Sequence, residues 1–191
     1  VIDATPYYAY DTSIDLDSNG NPHISYAVYN NTGSSYNLRY SYHNGSEWVY
    51  DDIKDYRSSY WYSYSNTGKN NQIKLNGTDV PHIVFFDDYY DDVYLSVRIN
   101  GTWSSSSVDE YGGMYTTGGE RAISLAIDST DGLHVAYYDM SGRFLEYAHR
   151  GPGESAWTKT NVHDQGNHFI GTSVSIAVDS EDRPHIAYHD R

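Results

Sequence analysis

Apolar side chains alternate with small or polar ones along much of this chain. The clearest stretches are residues 123–127 (ISLAI) and 174–178 (VSIAV), in which aliphatic side chains alternate with Ser or Ala. A period of two puts successive side chains on opposite faces of an extended strand, whereas a helix needs a period of about 3.6. The pattern therefore predicts short strands with one aliphatic face and one face of small side chains, as in strands packed on both sides.

Segments of this kind recur along the chain. They occupy residues 13–30, 72–88, 124–140 and 175–190, and they share His23, His82, His134 and His185, which are 59, 52 and 51 residues apart. In the first three copies a third strand is predicted from Leu38, Leu95 and Leu145, and a fourth near Trp48, Trp103 and Trp157. Four short antiparallel strands in a repeat of about 50 residues are typical of a β-propeller blade. The sequence therefore predicts an all-β propeller with strands a to d in each blade, strand a being innermost.

The predicted repeats make up about 3.5 blades. They cover residues 12–53, 71–110, 121–163 and 173–191 of one propeller domain or propeller fragment. Residues 1–3 align with the end of a strand d, so we expect them to form the outer strand of the last blade, which lacks strand c. An unpaired strand edge invites further pairing. Three explanations stay open: a fragment of a longer propeller, two chains that complete one seven-bladed ring, or a partner strand added in trans.

Two residue types recur at the predicted a–b turns. Asp17, Asp128 and Asp179 open three of these turns and Asn76 opens the remaining one, and such side chains accept hydrogen bonds from the backbone amides of a turn. The four repeated histidines could ring a metal ion. A residue found in every repeat is more typical of structure than of a site, so we expect each histidine to cap or bridge a neighbouring strand.

Composition narrows the possible functions. The 191 residues include 22 Tyr and no Cys, and 26 acidic against 12 basic side chains give a net charge of −14. Without cysteine there is no disulfide, zinc–thiolate site or iron–sulfur cluster. The acidic balance disfavours nucleic acid and anionic membranes as partners. No apolar run approaches the roughly 18 residues of a membrane-spanning helix, so membrane insertion is not expected.

Two predicted c–d hairpins carry a recognisable octet. Residues 41–48 read SYHNGSEW and residues 96–103 read SVRINGTW, which is similar to the motif S-x-D-x-G-x-T-W. The chain thus resembles the Asp-box propellers of the sialidase-like superfamily, with degenerate boxes in which His43 and Arg98 stand in place of the Asp. The resemblance implies a propeller over nearly the whole chain. In that family the box is structural and lies far from the active face, so the resemblance does not imply catalysis.

Two acidic segments are candidate calcium sites. The first, Asp15, Asp17 and Asn19, belongs to the sequence DLDSNG, which matches the first half of a calcium-binding loop. The second, Asp87, Asp88, Asp91 and Asp92, falls on the predicted b–c hairpin of the second repeat. Crowded carboxylates repel one another and often bind a cation, although a solvated turn is the alternative for both segments.

Aromatic residues concentrate in the d–a and b–c connections, which a propeller places on one face. We predict a ligand-binding surface made of Tyr8, Tyr60, Trp61, Tyr62, Tyr89, Tyr90 and Tyr115. Aromatic rings flanked by Asp, Asn and Ser suit a sugar, since they offer flat apolar surfaces and hydrogen-bond acceptors together. The same rings could anchor a surface protein, or they could pack between blades.

Four N-x-S/T sequons add a further expectation. They begin at Asn30, Asn44, Asn76 and Asn100, all in predicted hairpins, and are candidate glycosylation sites if the chain is exported. We therefore predict a non-catalytic extracellular or cell-surface propeller that recognises carbohydrate or a surface partner. The alternatives are a polysaccharide-active lyase or glycosidase, and a structural subunit completed by strand exchange with a neighbouring copy.

Overall fold

The described part of the chain is built from strands and the turns that join them. The computed structural model describes residues 8–30, 35–53, 67–87, 92–110, 122–139, 144–163 and 170–190. Within these ranges it contains no helix, and so none long and apolar enough to cross a membrane. The strands form antiparallel sheets in which sequence neighbours pair.

Each repeat forms one sheet, which we call a blade. Blade 1 consists of β1 (Ala9–Leu16), β2 (Pro22–Asn30), β3 (Ser35–His43) and β4 (Trp48–Ile53). Blade 2 consists of β5 (Thr67–Leu75), β6 (Pro81–Asp87), β7 (Asp92–Ile99) and β8 (Thr102–Asp109). Blade 3 consists of β9 (Ile123–Ile127), β10 (Leu133–Asp139), β11 (Phe144–Arg150) and β12 (Thr158–His163). Blade 4 contains β13 (Ile170–Val178) and β14 (Pro184–Asp190) within the described ranges.

The a–b turns form as the sequence predicts. In blade 3 the carboxylate of Asp128 accepts hydrogen bonds from the backbone amides of Thr130 and Gly132, at 2.8 and 2.7 Å. Asn76 does the same in blade 2, accepting from the amides of Thr78 and Val80. These side chains satisfy backbone donors that the ladder leaves unpaired, so the predicted role of the turn-opening residues is confirmed.

His134 and His23 are structural bridges between neighbouring strands, as expected. His134 pairs through Nε2 with the Asp128 carboxylate at 3.1 Å and through Nδ1 with the hydroxyl of Tyr147 on β11 at 2.7 Å. His23 makes the corresponding contact with the hydroxyl of Tyr40 on β3, at 2.6 Å. His82 differs, because its Nδ1 bonds the carbonyl oxygen of Val80 instead.

The hydrophobic core lies between successive blades. β6 and β10 are buried along their whole lengths, since each is covered on both faces. Between blades 2 and 3, Val84 and Leu95 pack against Leu125 and Val135. Burial of such aliphatic side chains contributes about 1.5–3 kcal/mol each, so the packing of blade on blade supplies much of the stability.

Side chains of the innermost strands also link the blades around a common axis. The hydroxyl of Ser13 on β1 accepts a hydrogen bond from the backbone amide of Ile73 on β5, at 3.2 Å. The equivalent positions repeat this bond, from Leu125 to the Gln72 amide oxygen and from Ile176 to the Ser124 hydroxyl. β1 therefore lies beside β5, β5 beside β9 and β9 beside β13. This radial succession of antiparallel sheets, three of them four-stranded in the described part of the chain, confirms the predicted β-propeller.

A second link joins neighbouring a–b turns. The amide and hydroxyl of Ser18 in blade 1 donate to the two carboxylate oxygens of Asp79 in blade 2, at 2.8 and 2.6 Å. Ser129 of blade 3 is held by Asp182 of blade 4 in the same way, at 2.9 and 2.7 Å. We call this contact the turn clasp. In each case the aspartate reaches from the later blade to the earlier one.

The predicted outer strand at residues 1–3 lies outside the described ranges. The three explanations for the last blade therefore stay predictions. What the structure adds is the shape of the blade 4 surface, which carries two antiparallel strands paired in the register Ile176 with Ile186.

Candidate functional site

A polar cavity of about 270 Å³ lies near the beginning of the innermost strands. Its lining includes one residue from the same position of each blade, namely Asp11, Asn70, Ala122 and Ser173. We call it the axial cavity, because all four innermost strands contribute to its lining. It lies at the end of these strands at which each of them begins.

Bulges in the innermost strands shape this cavity. Pairing is irregular between Tyr10 and Ser13 in β1, and between Lys69 and Gln72 in β5. Bulges change the direction in which side chains point, and they are common beside binding sites. The repeat pattern does not reveal these bulges. A continuous alternation of apolar and polar residues leaves no room for the extra residue of a bulge, and that residue does not alter the amino-acid composition of the strand.

The bulges place two residues in the left-handed backbone region. Asp11 and Asn70 both have φ of 49°, which costs about 1–2 kcal/mol for a residue other than glycine. Local bonds maintain this geometry: the Asn70 amide donates to the Asp11 carboxylate at 3.2 Å, and the buried Asn71 side chain donates to the carbonyl oxygens of Asp11 and Gly68. The lining is thus preorganised.

Two tyrosines precede Asp11, a residue that lines the cavity, in the sequence. Tyr8 is 71% exposed, Tyr10 is also exposed, and their ring centroids lie 6.5 Å apart at an angle of 45°. Tyr8 is anchored through its carbonyl oxygen, which accepts a hydrogen bond from the amide of Tyr29 on β2. Of the predicted aromatic surface, Tyr8 is therefore placed in solvent. The other members, Tyr60, Trp61, Tyr62, Tyr89, Tyr90 and Tyr115, lie outside the described residues.

The first predicted calcium segment is engaged in structural bonds. Asp15 accepts from the amide of Leu75 in blade 2 at 2.8 Å, while Asp17 accepts from the amides of Asn19 and Asn21. The Asn21 side chain also donates to Asp17, which lowers the pKa of that carboxyl and keeps it ionised. Asp15 thus holds a blade junction and Asp17 holds a turn.

The second predicted calcium segment is described in part. Asp87 and Asp92 are buried and are directly opposite each other in the pairing of β6 with β7. Asp88 and Asp91 lie outside the described residues. The hairpin therefore brings two of the four predicted carboxylates side by side.

A buried acidic cluster joins blades 2 and 3, and the sequence did not reveal it. The hydroxyl of Tyr137 lies 2.9 Å from Asp109 and 2.8 Å from Glu146, and the Lys159 ammonium bonds Asp109. Asp139 completes a set of three acids whose oxygens lie within 4.8 Å of one another. Burial raises the pKa of Glu146 and outweighs its bond from Tyr137. Asp109 belongs to another repeat than its partners, so alignment of the repeats could not bring them together.

A second cluster, also unpredicted, combines two imidazoles with one carboxylate. Asp128, His134 and His149 each offer a ligand atom within 4.8 Å of the other two, and the two imidazole rings lie 4.7 Å apart. Such a set suits zinc or another first-row transition metal better than calcium. The sequence could have indicated this cluster, because aligning the predicted strands β10 and β11 as a hairpin places His149 directly opposite His134, as the structure does.

The predicted sequons differ in their surroundings. Asn44 and Asn100 are exposed in the c–d hairpins. The side-chain oxygen of Asn76 accepts from the amide of Val80 at 2.9 Å, so this residue also holds a turn. The side chain of Asn30 lies outside the described part.

The c–d hairpins form where the sequence predicts them, but they do not test the Asp-box assignment. In blade 1, Asn44 and Glu47 close the turn through a backbone bond of 3.0 Å, and Trp48 packs edge-on to His43. His43 stands where the motif has its Asp, so membership of that family stays a prediction.

Comparison with known proteins gives structural likeness only. No protein-family model matches the sequence, and no curated protein matches it. AofleA from Arthrobotrys oligospora superimposes with a TM-score of 0.62 at 13% identity, over 97% of this chain and 51% of its own. A fucose lectin from Kordia zhangzhouensis, solved with methyl-fucoside, gives 0.51 at 13% identity, over 80% of this chain and 99% of its own. The NanB sialidase from Streptococcus pneumoniae superimposes with a TM-score of 0.54 at 15% identity, over 94% of this chain and 26% of its own.

The likeness establishes the propeller fold. Proteins of this fold thus include a lectin and a sialidase, so the architecture is shared by carbohydrate binding and carbohydrate cleavage. The chain spans about half the length of AofleA and about a quarter of the length of NanB.

Proposed function

We propose that this chain recognises carbohydrate, in an extracellular or cell-surface setting, through its axial cavity and the aromatic residues beside it. The observation that carries the proposal is that the exposed Tyr8 and Tyr10 immediately precede, in the chain, the polar residue Asp11 that lines the cavity. Sugars require both kinds of group, because their C–H faces pack on aromatic rings while their hydroxyls hydrogen-bond to carboxylates and amides. The lectin of similar fold supports this reading.

The size of the cavity favours a small ligand. Its volume of about 270 Å³ lies just below the range of about 300–1,000 Å³ found for ligand pockets. A terminal sugar residue fits such a site better than the interior of a polysaccharide chain. The net charge of −14 further favours neutral sugars over uronates or sialic acids, since like charges repel.

A glycan array tests the proposal. Wild-type protein is expected to bind neutral glycans, and Tyr8→Ala and Asp11→Ala are expected to reduce binding at least tenfold. Tyr50→Ala is the matched control, because Tyr50 is an exposed tyrosine on the outer strand β4, away from the cavity. Equal binding by all variants, or binding to no glycan by the wild type, would contradict the proposal.

Catalysis on polysaccharide is the alternative, supported by the sialidase of similar fold. Glu146, a described acid with a raised pKa, does not favour catalysis. It is buried with Tyr137 between blades, where a substrate has no access. Release of reducing or unsaturated sugar ends by the purified protein would replace the binding proposal with this one.

Calcium binding and glycosylation belong to the same proposal. The paired carboxylates of Asp87 and Asp92 form the core of the calcium site that we propose on this hairpin, with oxygen ligands of the kind calcium prefers. Calcium is then expected to raise the melting temperature and EDTA to reverse the effect, with Asp92→Asn abolishing the response.

Exported protein is expected to carry glycans at Asn44 and Asn100, which intact-mass measurement with and without a glycosidase detects.

A further inference from the structure

Blade 3 differs from its neighbours at a position next to the repeated histidine. His149 on β11 lies directly opposite His134 on β10, whereas Tyr42 and Val97 occupy this position in blades 1 and 2. Of these three hairpins, only the one in blade 3 therefore brings two imidazoles side by side at this position, with ring centroids 4.7 Å apart. Two neighbouring imidazoles are a common part of a transition-metal site.

A second difference, at residue 132, affects the nearby carboxylate of Asp128. In blade 1 the Asn21 side chain donates to the equivalent carboxylate oxygen at 2.8 Å, and in blade 4 the Arg183 guanidinium does the same at 2.8 Å. Blade 3 has Gly132 at this position, and a Cβ atom there would overlap the Oδ2 atom of Asp128. In blade 3, therefore, no side chain of residue 132 competes for this oxygen.

The two differences converge on one small space. Asp128, His134 and His149 each offer a ligand atom within 4.8 Å of the other two, and Asp128 Oδ2 lies 3.1 Å from His134 Nε2. Two ligand atoms that each lie about 2.0 Å from a tetrahedral ion are about 3.3 Å apart. An ion could thus replace the hydrogen bond between Asp128 and His134 with little movement. Asp128 and His149 are half-buried, so an ion can reach them from solvent.

Further hydrogen bonds hold two of the three side chains in place. Nδ1 of His134 lies 2.7 Å from the hydroxyl of Tyr147. A metal-binding histidine commonly uses its other ring nitrogen in this way, which fixes the orientation of the ring. Oδ1 of Asp128 accepts from the amides of Thr130 and Gly132 at 2.8 and 2.7 Å. These bonds engage Oδ1 and direct Oδ2 towards His134.

We propose that Asp128, His134 and His149 bind a divalent first-row transition metal ion, and that zinc is the ion this ligand set suits. Three protein ligands leave one tetrahedral position for water. The ion links the a–b turn of blade 3 to β10 and β11, so it stabilises this blade. The inference is independent of the carbohydrate proposal, because other residues line the axial cavity.

Isothermal titration of EDTA-treated, dialysed protein with zinc chloride tests the proposal. Excess calcium is present throughout, so that the oxygen ligands of Asp87 and Asp92 are offered the ion that they prefer. We expect one tightly bound zinc ion per chain, and a melting temperature that rises with zinc and falls again with EDTA. His149→Tyr is expected to weaken zinc binding at least about a hundredfold, because even the outer-shell partners of metal ligands contribute about 10–100-fold.

Two comparisons separate loss of the site from loss of the fold. Tyrosine is the residue that blade 1 has at this position, so His149→Tyr should melt like the wild type when zinc is absent. His149→Gln provides a second variant, which retains a polar side chain and is also expected to lose the zinc response.

His185→Ala is the matched control. His185 bonds Asp179 at 2.9 Å, much as His134 bonds Asp128, but the Arg183 guanidinium already occupies the same carboxylate oxygen. The control is therefore expected to bind zinc with wild-type affinity and stoichiometry. A wild type that binds no zinc, binding that survives in both His149 variants, or binding that is lost in His185→Ala would each overturn the proposal.

Discussion

The hydroxyl of Tyr137 on β10 lies 2.9 Å from the carboxylate of Asp109 at the end of β8, and this contact joins blade 3 to blade 2. The same hydroxyl lies 2.8 Å from Glu146. A phenol has one proton and can donate to only one of the two acids. The other contact requires a proton on a carboxyl group, and burial, which raises the pKa of Glu146, favours the protonated form of this acid.

Replacing Tyr137 by phenylalanine should therefore destabilise the protein by about 2 kcal/mol, since buried bonds to charged groups contribute about 1.5–3 kcal/mol. Tyr26→Phe is the matched control, because Tyr26 occupies the same repeat position and its hydroxyl lies 2.8 Å from the neutral hydroxyl of Ser41. Denaturant unfolding measures both losses. A loss from Tyr137→Phe no larger than that from Tyr26→Phe would contradict the prediction.

The raised pKa of Glu146 has a defined effect on stability. Because the folded state holds this proton more tightly than the unfolded state, the stabilising contribution is complete below pH 4.5, the ordinary value of the group, and is lost as the pH rises through the raised pKa. Glu146→Gln should remove that loss. Unfolding free energies between pH 4 and pH 8 should fall less steeply in the variant; parallel profiles would disprove the assignment.

Asp128 should act in the opposite direction. Burial alone would raise its pKa, but bonds from His134, Gly132 and Thr130 outweigh burial and lower the pKa to about 2. The stability it provides is complete above pH 3.8 and is lost as the pH falls towards 2. Asp128→Asn should therefore be less stable at pH 7 and lose less on acidification. The exposed Glu110→Gln serves as control and should retain the wild-type acid profile.

The contribution of the turn clasp to stability can be measured with a substitution that leaves the backbone conformation unchanged. Asp79 has φ of 62°, so Asp79→Gly removes the carboxylate without introducing strain, because glycine favours this region. Loss of its two bonds to Ser18 should cost about 1 kcal/mol. Asp131→Gly is the paired comparison: Asp131 has φ of 69° but makes a single, longer contact of 3.3 Å with the Gly77 amide. Thermal unfolding should rank Asp79→Gly as the less stable variant, and the reverse order would refute the clasp's contribution.

Alternation and repetition along the sequence were enough to predict the blades and the roles of Asp128 and His134, because these features depend on local spacing. The Asp109–Tyr137–Glu146 contacts could not be predicted in this way. They depend on how far one blade is rotated against the next, and no repeat encodes that rotation by itself.

The axial cavity was missed for another reason. Asp11 faces it because of a bulge in β1, and strict alternation assigns the wrong side to every residue before a bulge. Tyr8 is exposed to solvent, and its role in ligand binding stays a prediction that the glycan experiment tests.

The direction of the turn clasp has a consequence for biosynthesis. Asp79 and Asp182 fasten serines that precede them by 61 and 53 residues, so no serine can be secured until the following repeat has left the ribosome. Translation supplies the N-terminal repeat first. During synthesis blade 1 and blade 3 therefore each lack this contact until the following sheet has emerged with its aspartate.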